Sequence, residues 1–337
     1  MLGEAHVIGH KIQEEHIIKI LSSKYNVHVL CPSNWYSKED DRTTFHYIRN
    51  NLGNTRVSYY QACLEKCKEI SKLAKKINAE FIFFTSYDIY VLALFLRIGK
   101  LKNVQIVVME HGNIDQYVAN RKQAFVYKKI CQDIEHIVFE DFMKKYLIDS
   151  FYISPDRITC VPHECNFKKN IVEKKYACVA PSNSNDESII RQIIEYEKKT
   201  ESLKKSNKRV VIKSKNTNYS NDYLTVFQGY IKEQEYDELI SSTERVFLPY
   251  PKSFVYRMSG VLIDALSNNI QVIGTDIPLF KGYSSKYPGI VKVIDGYMDF
   301  YKILLSEEIS DLVDNKAFLQ DHSDDMIRNN IEKVFSS

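Results

Sequence analysis

Short runs of β-branched and aromatic residues alternate along this chain with longer amphipathic stretches, and that alternation restricts the fold more than any other feature. In the first half, Asn26 to Cys31 (NVHVLC), Ala79 to Thr85 (AEFIFFT), Val104 to Glu110 (VQIVVME), His136 to Phe139 and Arg157 to Val161 (RITCV) read as strands. Helical stretches such as Ser58 to Lys76 and Val118 to Cys131 separate them. Strands linked by crossovers of that length pair in parallel, with helices covering the sheet.

The second half repeats the pattern. Tyr176 to Ala180 (YACVA) is followed by the loop PSNSND and a helix from Glu187 to about Lys199, with Ser184 or Asp186 as its cap. Strands are expected at Arg209 to Lys213, Leu224 to Phe227, Arg245 to Leu248, Val272 to Gly274 and Ile290 to Ile294, with helices over Glu233 to Ser241 and Gly260 to Ser267. Between the halves, His163 to Lys175 is polar, lysine-rich and aperiodic, as a linker would be. The 337 residues therefore suit an α/β protein of two doubly wound, Rossmann-like domains, 1–165 and 176–337. The last helix is expected to pack back on the first domain.

Composition narrows the function classes. Residues 1–170 hold 24 Lys and Arg against 19 Asp and Glu, and residues 171–337 hold 22 against 24. So small an excess, with no dense basic stripe, argues against a nucleic-acid binder. It suits weak contact with an anionic membrane face, or ordinary solvated lysines. Seven scattered cysteines form no paired C-x-x-C units and fit a reducing compartment. No apolar run reaches the ~18–20 residues of a spanning helix, and the chain's start lacks the features of a signal peptide. The expected location is the cytoplasm, with the inner face of the cell membrane as an option.

The segment VFLPYPKSFVYRMSGVLIDALSNNIQVIGTDIP, from Val246 to Pro278, holds a strand, a polar loop, a Ser-Gly turn at a helix start, and a second strand. Free N–H groups and the positive end of the helix point at one place, which suits an anion. Gly260 lets backbone approach a diphosphate, Ser259 can donate and cap, and Arg257 can neutralise two phosphate oxygens. A plain N-cap beside a surface Arg is the alternative. Asp264, one turn into the helix, can accept from ribose hydroxyls or simply face solvent.

This order of elements resembles the donor site of GT-B glycosyltransferases, in particular family-4-like enzymes of bacterial surface polysaccharide synthesis. Asp264 stands where that family has its second glutamate, and QVIGTDIP matches the strand that follows. Tyr256 stands where the first glutamate would be, so retention or inversion stays open. The resemblance implies two Rossmann-like domains facing across a cleft, the first acceptor-side and the second binding a nucleotide sugar. It also implies no cofactor beyond that donor substrate, and a lipid-linked or oligosaccharide acceptor; no metal is expected, because no Asp-x-Asp motif stands at a strand end and basic groups can serve the diphosphate. The family's Arg and Lys after the first strand of this domain are missing, and Lys213 or Lys215 is the candidate replacement cation.

On the acceptor side, Ala5-His-Val-Ile-Gly-His is expected to form a short or truncated first strand and a glycine loop. Gly9 and His10 would then lie at the head of the first helix, with His10 as hydrogen-bond donor or base. His111, beside Glu110 at the end of VQIVVME, resembles the histidine that such enzymes place over the transferred sugar; a turn with a satisfied histidine is the alternative. Arg121, Lys122, Lys128 and Lys129 punctuate the next helix and can face anionic lipid or a lipid-diphosphate acceptor, or form an ordinary solvated face. Three functions stay open: a sugar transferase, a catalytically silent nucleotide-sugar binder, and a nucleotide-sugar epimerase, the last disfavoured by a donor loop poor in acids.

Overall fold

The computed structural model describes residues 4–32, 41–48, 56–98, 101, 103–168, 173–306 and 314–335. The chain divides at Glu164: residues up to His163, together with the segment beginning at Asp324, form one unit, and Glu164–Ser323 form the other.

The first unit opens on a helix, α1 (Glu4–Ser22), which overturns the expected strand and glycine loop. Gly9 and His10 lie inside α1, so the loop that would have presented His10 does not exist. Apolar residues such as Val7, Ile8, Ile12 and Ile17 recur at helical rather than alternating spacing, and one interior glycine costs only about 1 kcal/mol.

Strands β1 (Val27–Pro32) and β2 (Thr43–Ile48) pair in parallel, and β2 is an element the sequence reading passed over. After α2 (Arg56–Ile77), a four-stranded parallel sheet is built in sequence order from β3 (Phe81–Phe84), β4 (Gln105–Met109), β5 (Glu135–Val138) and β6 (Ile158–Cys160). The crossovers are α3 (Ile89–Ile98), then α4 (Asn113–Ala119) with α5 (Arg121–Ile130), then α6 (Asp141–Phe151). The single helix expected over 118–131 is thus two. Asn120 breaks it, extended at φ −131°, and its side chain caps α5 by accepting from the N–H groups of Lys122 and Gln123.

In the second unit, β7 (Cys178–Ala180) lies at the centre of a seven-stranded sheet. The elements that follow are α7 (Glu187–Thr200), α8 (Ser202–Lys205), β8 (Val210–Lys213), β9 (Tyr219–Ser220), β10 (Leu224–Phe227), α9 (Glu233–Ser241) and β11 (Arg245–Leu248). Then come α10 (Gly260–Ser267), β12 (Gln271–Thr275), α11 (Pro278–Lys286), β13 (Val291–Ile294), α12 (Tyr297–Ser306) and α13 (Lys316–Asp321). The strand order is β13-β12-β11-β7-β8-β10-β9, parallel throughout except for the short edge strand β9. Chain order reverses between β7 and β11, the point where open α/β sheets bind ligands at the carboxyl ends of their strands.

Buried strands make the core: Val179, Val210, Ile212, Phe247 and Ile273 are fully enclosed. Gly274 is required there, because a Cβ at that position would run into the ring of Phe280. Of the segment expected to be a linker, His163 to Lys175, residues 169–172 lie outside the described residues, and the part just before them is tied down within this unit. Asn166 and Lys168 donate backbone N–H groups to Ser267 Oγ and Asn268 Oδ1, at 3.1 and 2.8 Å.

The helix α14 (Asp324–Phe335) belongs to the first unit. Its Phe335 packs edge-on against Phe81 and Phe83 and beside Tyr25, whose hydroxyl donates to the Phe335 carbonyl.

Candidate functional site

The carboxyl ends of β7, β8 and β11 bring together side chains that the sequence scatters over some eighty positions. β7 ends at Ala180 and runs into the loop Pro181 to Asp186. The Asn185 amide bridges two strand ends, donating to the carbonyls of Ala180 and Lys213, both at 2.9 Å. Two obligate acceptors fix that amide's orientation, and its Oδ1 has no hydrogen-bond partner among the described residues. The Asp186 N–H closes the loop on Pro249, 2.6 Å away, joining β7 to β11 across the switch point.

Lys213 ends β8 and is only 6% exposed. Burial holds its ammonium below the ordinary lysine value, and no carboxylate among the described residues pairs with it. Isolated buried charge is costly, so a cation in this state suits a site that receives an anion. Of the two candidate lysines, Lys215 is exposed; its backbone N–H donates to Glu187 Oε1 at 2.6 Å. Burial pushes the Glu187 carboxyl up, but the N–H groups of Lys215 and Asn216 and the hydroxyls of Ser214 and Thr217 bring it net below its usual range.

Across the switch point, β11 runs into Pro249 and Tyr250. The Tyr250 ring lies 4.3 Å from that of Phe254, and the Arg257 guanidinium sits over Phe254 at 4.7 Å. Tyr250 OH lies 2.7 Å from Ser259 Oγ and also bonds to Ser182. Ser259 is the N-cap of α10, accepting from the Leu262 N–H at 3.2 Å. Gly260 opens the helix with nothing within 4 Å of where its Cβ would be, so the first turn of α10 has open space beside it. Arg257, Ser259, Gly260 and Lys213 thus belong to elements that end on the same side of one sheet.

Asp264 faces neither solvent alone nor an empty pocket. Tyr236 OH donates to its Oδ2 at 2.6 Å and Asn166 Nδ2 to its Oδ1 at 2.9 Å.

In the first unit, His111 follows β4 and its ring lies tilted against that of Phe139, centroids 5.1 Å apart, immediately before Gly112 caps α4. Its neighbour Glu110 is fully buried. Tyr87 OH and Tyr127 OH donate to its two oxygens at 2.8 and 2.9 Å, and His136 Nδ1 lies 3.1 Å away. His136 Nε2 reaches the Cys131 carbonyl at 2.9 Å, which requires a proton on that nitrogen. Glu110 is therefore the anchor of the turn that carries His111.

Sequence reading missed Ser182, Asn185, Tyr250 and His136. The PSNSND loop at a strand end was the available signal for the first two; Tyr250 and His136 look like ordinary core residues until the fold pairs them. Among the described residues no group of three or more His, Cys, Asp or Glu is arranged to hold a metal ion, and no helix is long and apolar enough to cross a membrane.

No protein-family model matches the chain, and no curated protein matches it in sequence. Solved structures share its fold. A glycosyltransferase from Rickettsia africae superposes with a TM-score of 0.64 at 12% identity, covering 100% of this chain and 96% of that one. A candidate UDP-N-acetylglucosamine 2-epimerase from Listeria monocytogenes gives 0.63 at 12% identity, covering 97% and 93%. TarM from S. aureus, in a structure with UDP, gives 0.56 at 14% identity, covering 82% of this chain and 58% of that one. The fold is GT-B, built of two Rossmann-like domains.

Proposed function

We propose that this protein is a glycosyltransferase that takes a sugar from a nucleotide-sugar donor. The diphosphate binds in the second unit, between Lys213 and Arg257, with the free N–H groups at the start of α10 completing the contact. Ser259 supports that turn through its cap, Gly260 leaves room for the phosphates, and Asp264 takes the ribose hydroxyls. The observation that carries this reading is Lys213, a buried cation without a carboxylate partner among the described residues. Departure of the nucleotide builds negative charge, and two fixed cations stabilise it without a metal ion. His111 is the candidate catalytic side chain. The acceptor is a lipid-linked or polysaccharide chain, and the basic α5, where Phe125 stands exposed beside Lys129, supports contact with an anionic membrane.

A screen of nucleoside diphosphates and their sugars by calorimetry tests the reading. Binding of at least one, lost in Arg257→Ala, is expected, as is nucleotide release when a matching acceptor is added. No binding to any of them would sink the proposal.

The structural likeness to an epimerase keeps a second reading in view. Its chemistry needs acids converging on the sugar. Here Glu187 is held by the loop after β8, and Asp264 is engaged by Tyr236 and Asn166. Formation of an epimeric nucleotide sugar without any acceptor would favour that reading. Binding without turnover under any condition would favour a silent binder.

A further inference from the structure

Away from the nucleotide site, α2 and α3 of the first unit enclose an open groove of about 370 Å³. Leu94, Phe95 and Ile98 from α3 line it, and Leu94 and Ile98 are 37% and 61% exposed. Lys68, Lys72 and Lys75 line the α2 side, at i, i+4 and i+7 on a single face of that helix. None of the three forms an ion pair among the described residues, although Glu65 and Glu69 lie on the same helix.

We propose that this groove seats an anionic phospholipid at a bilayer surface. The lipid phosphate lies over the three ammonium groups, and the first methylenes of an acyl chain rest on Leu94, Phe95 and Ile98. Each half of the groove argues for part of that ligand. A row of unneutralised lysines attracts an anion, and their methylene stems extend the apolar wall beneath the charged heads. A free phosphate would leave the exposed isoleucine and leucine unused. A bound peptide would need acceptors for its N–H groups, which the lysines cannot supply; the Ser71 hydroxyl already donates to the Cys67 carbonyl at 2.9 Å. An acyl chain needs none.

The inference rests on the membrane contact proposed above and gives it a site besides α5; its test does not use activity, so its failure leaves the sugar-transfer reading standing. Cosedimentation with phosphatidylglycerol–phosphatidylcholine vesicles is compared with pure phosphatidylcholine vesicles at about 0.1 M salt. Wild-type protein should partition onto the anionic vesicles only, and millimolar inorganic phosphate should not displace it. Replacing Lys68, Lys72 and Lys75 with Gln should weaken partitioning about fivefold per lysine, about a hundredfold in the triple variant. The triple Arg variant should keep it, and Ile98→Ser alone should weaken it severalfold. All four side-chain sites are exposed, and an unchanged circular dichroism melt confirms folding. Equal binding to neutral vesicles, displacement by phosphate, absence of binding, or full binding by the triple Gln variant overturns the proposal. The last result would transfer the contact to α5.

Discussion

Tyr250 OH and Ser259 Oγ lie 2.7 Å apart, so the end of β11 is fastened to the residue that caps α10. The pair links two jobs: Ser259 satisfies a helix N–H, and Tyr250 fixes the oxygen that does so. Ser259→Ala is expected to cost about 1 kcal/mol through the lost cap, and Tyr250→Phe a similar amount through the lost hydrogen bond. The double variant should lose less than the sum, because each single change already breaks the shared contact. Urea unfolding of the four proteins reads this coupling, and strict additivity would show the two residues to be independent.

Lys213→Met should separate stability from binding. The ammonium is buried with no carboxylate beside it among the described residues, so a methionine of similar reach removes a desolvation cost. The nucleotide-free variant is expected to melt at or above the wild-type temperature, while its affinity for nucleoside diphosphate falls at least tenfold. A variant that melts lower and binds normally would assign Lys213 to the core alone.

The same lysine sets a pH signature. Its folded-state value is lowered from the ordinary 10.5, so the unfolded chain binds more protons in that range. Unfolding free energy should therefore rise with pH as Lys213 loses its proton, from the folded value upward to the unfolded one. Nucleotide affinity should move the opposite way, falling as the cation is lost at a pH below 10.5. Calorimetric titrations of wild type against Lys213→Met test this, and the methionine variant should lack both trends.

Gly274→Ala places a methyl group against the Phe280 ring inside the parallel sheet. Overpacking of that kind costs roughly 1–3 kcal/mol, and denaturant titration should show it as a lowered midpoint with an unchanged slope.

Glu110→Ala should cost about 3–5 kcal/mol, since it leaves His136 buried without its carboxylate and two tyrosine hydroxyls without an acceptor. The nucleotide binding proposed for the second unit should survive wherever the variant remains folded. A small loss on unfolding would show that the tyrosines and His136 repair the network among themselves.

The doubly wound second unit was legible because its strands are short, buried and β-branched, and because Gly260 and Ser259 punctuate the main helix. Local pattern reports local structure. The N-terminal error has the same origin: Gly9 and His10 look like a loop when read over ten residues, and like a helix only when Ile17 and Ile20, both buried, are included. Strand β2 was missed because its Thr-Thr-Phe-His-Tyr-Ile pairs with β1 across a gap the sequence does not announce. The candidate site was half legible. Arg257, Ser259 and Gly260 share one stretch, whereas Asn185 joins Ala180 to Lys213 only through the sheet order. Asp264 was singled out by position, but Tyr236 and Asn166, its hydrogen-bond partners from elsewhere in the chain, could not be.

The helix α14 follows the whole second unit in the chain yet fills the space against Tyr25, Phe81 and Phe83 of the first. During synthesis, every residue of the second unit leaves the ribosome before that aromatic surface receives Phe335. The unit that begins first is therefore the one that finishes last, and a growing chain carries an uncovered aromatic patch for at least 160 residues of translation, within the reach of chaperones.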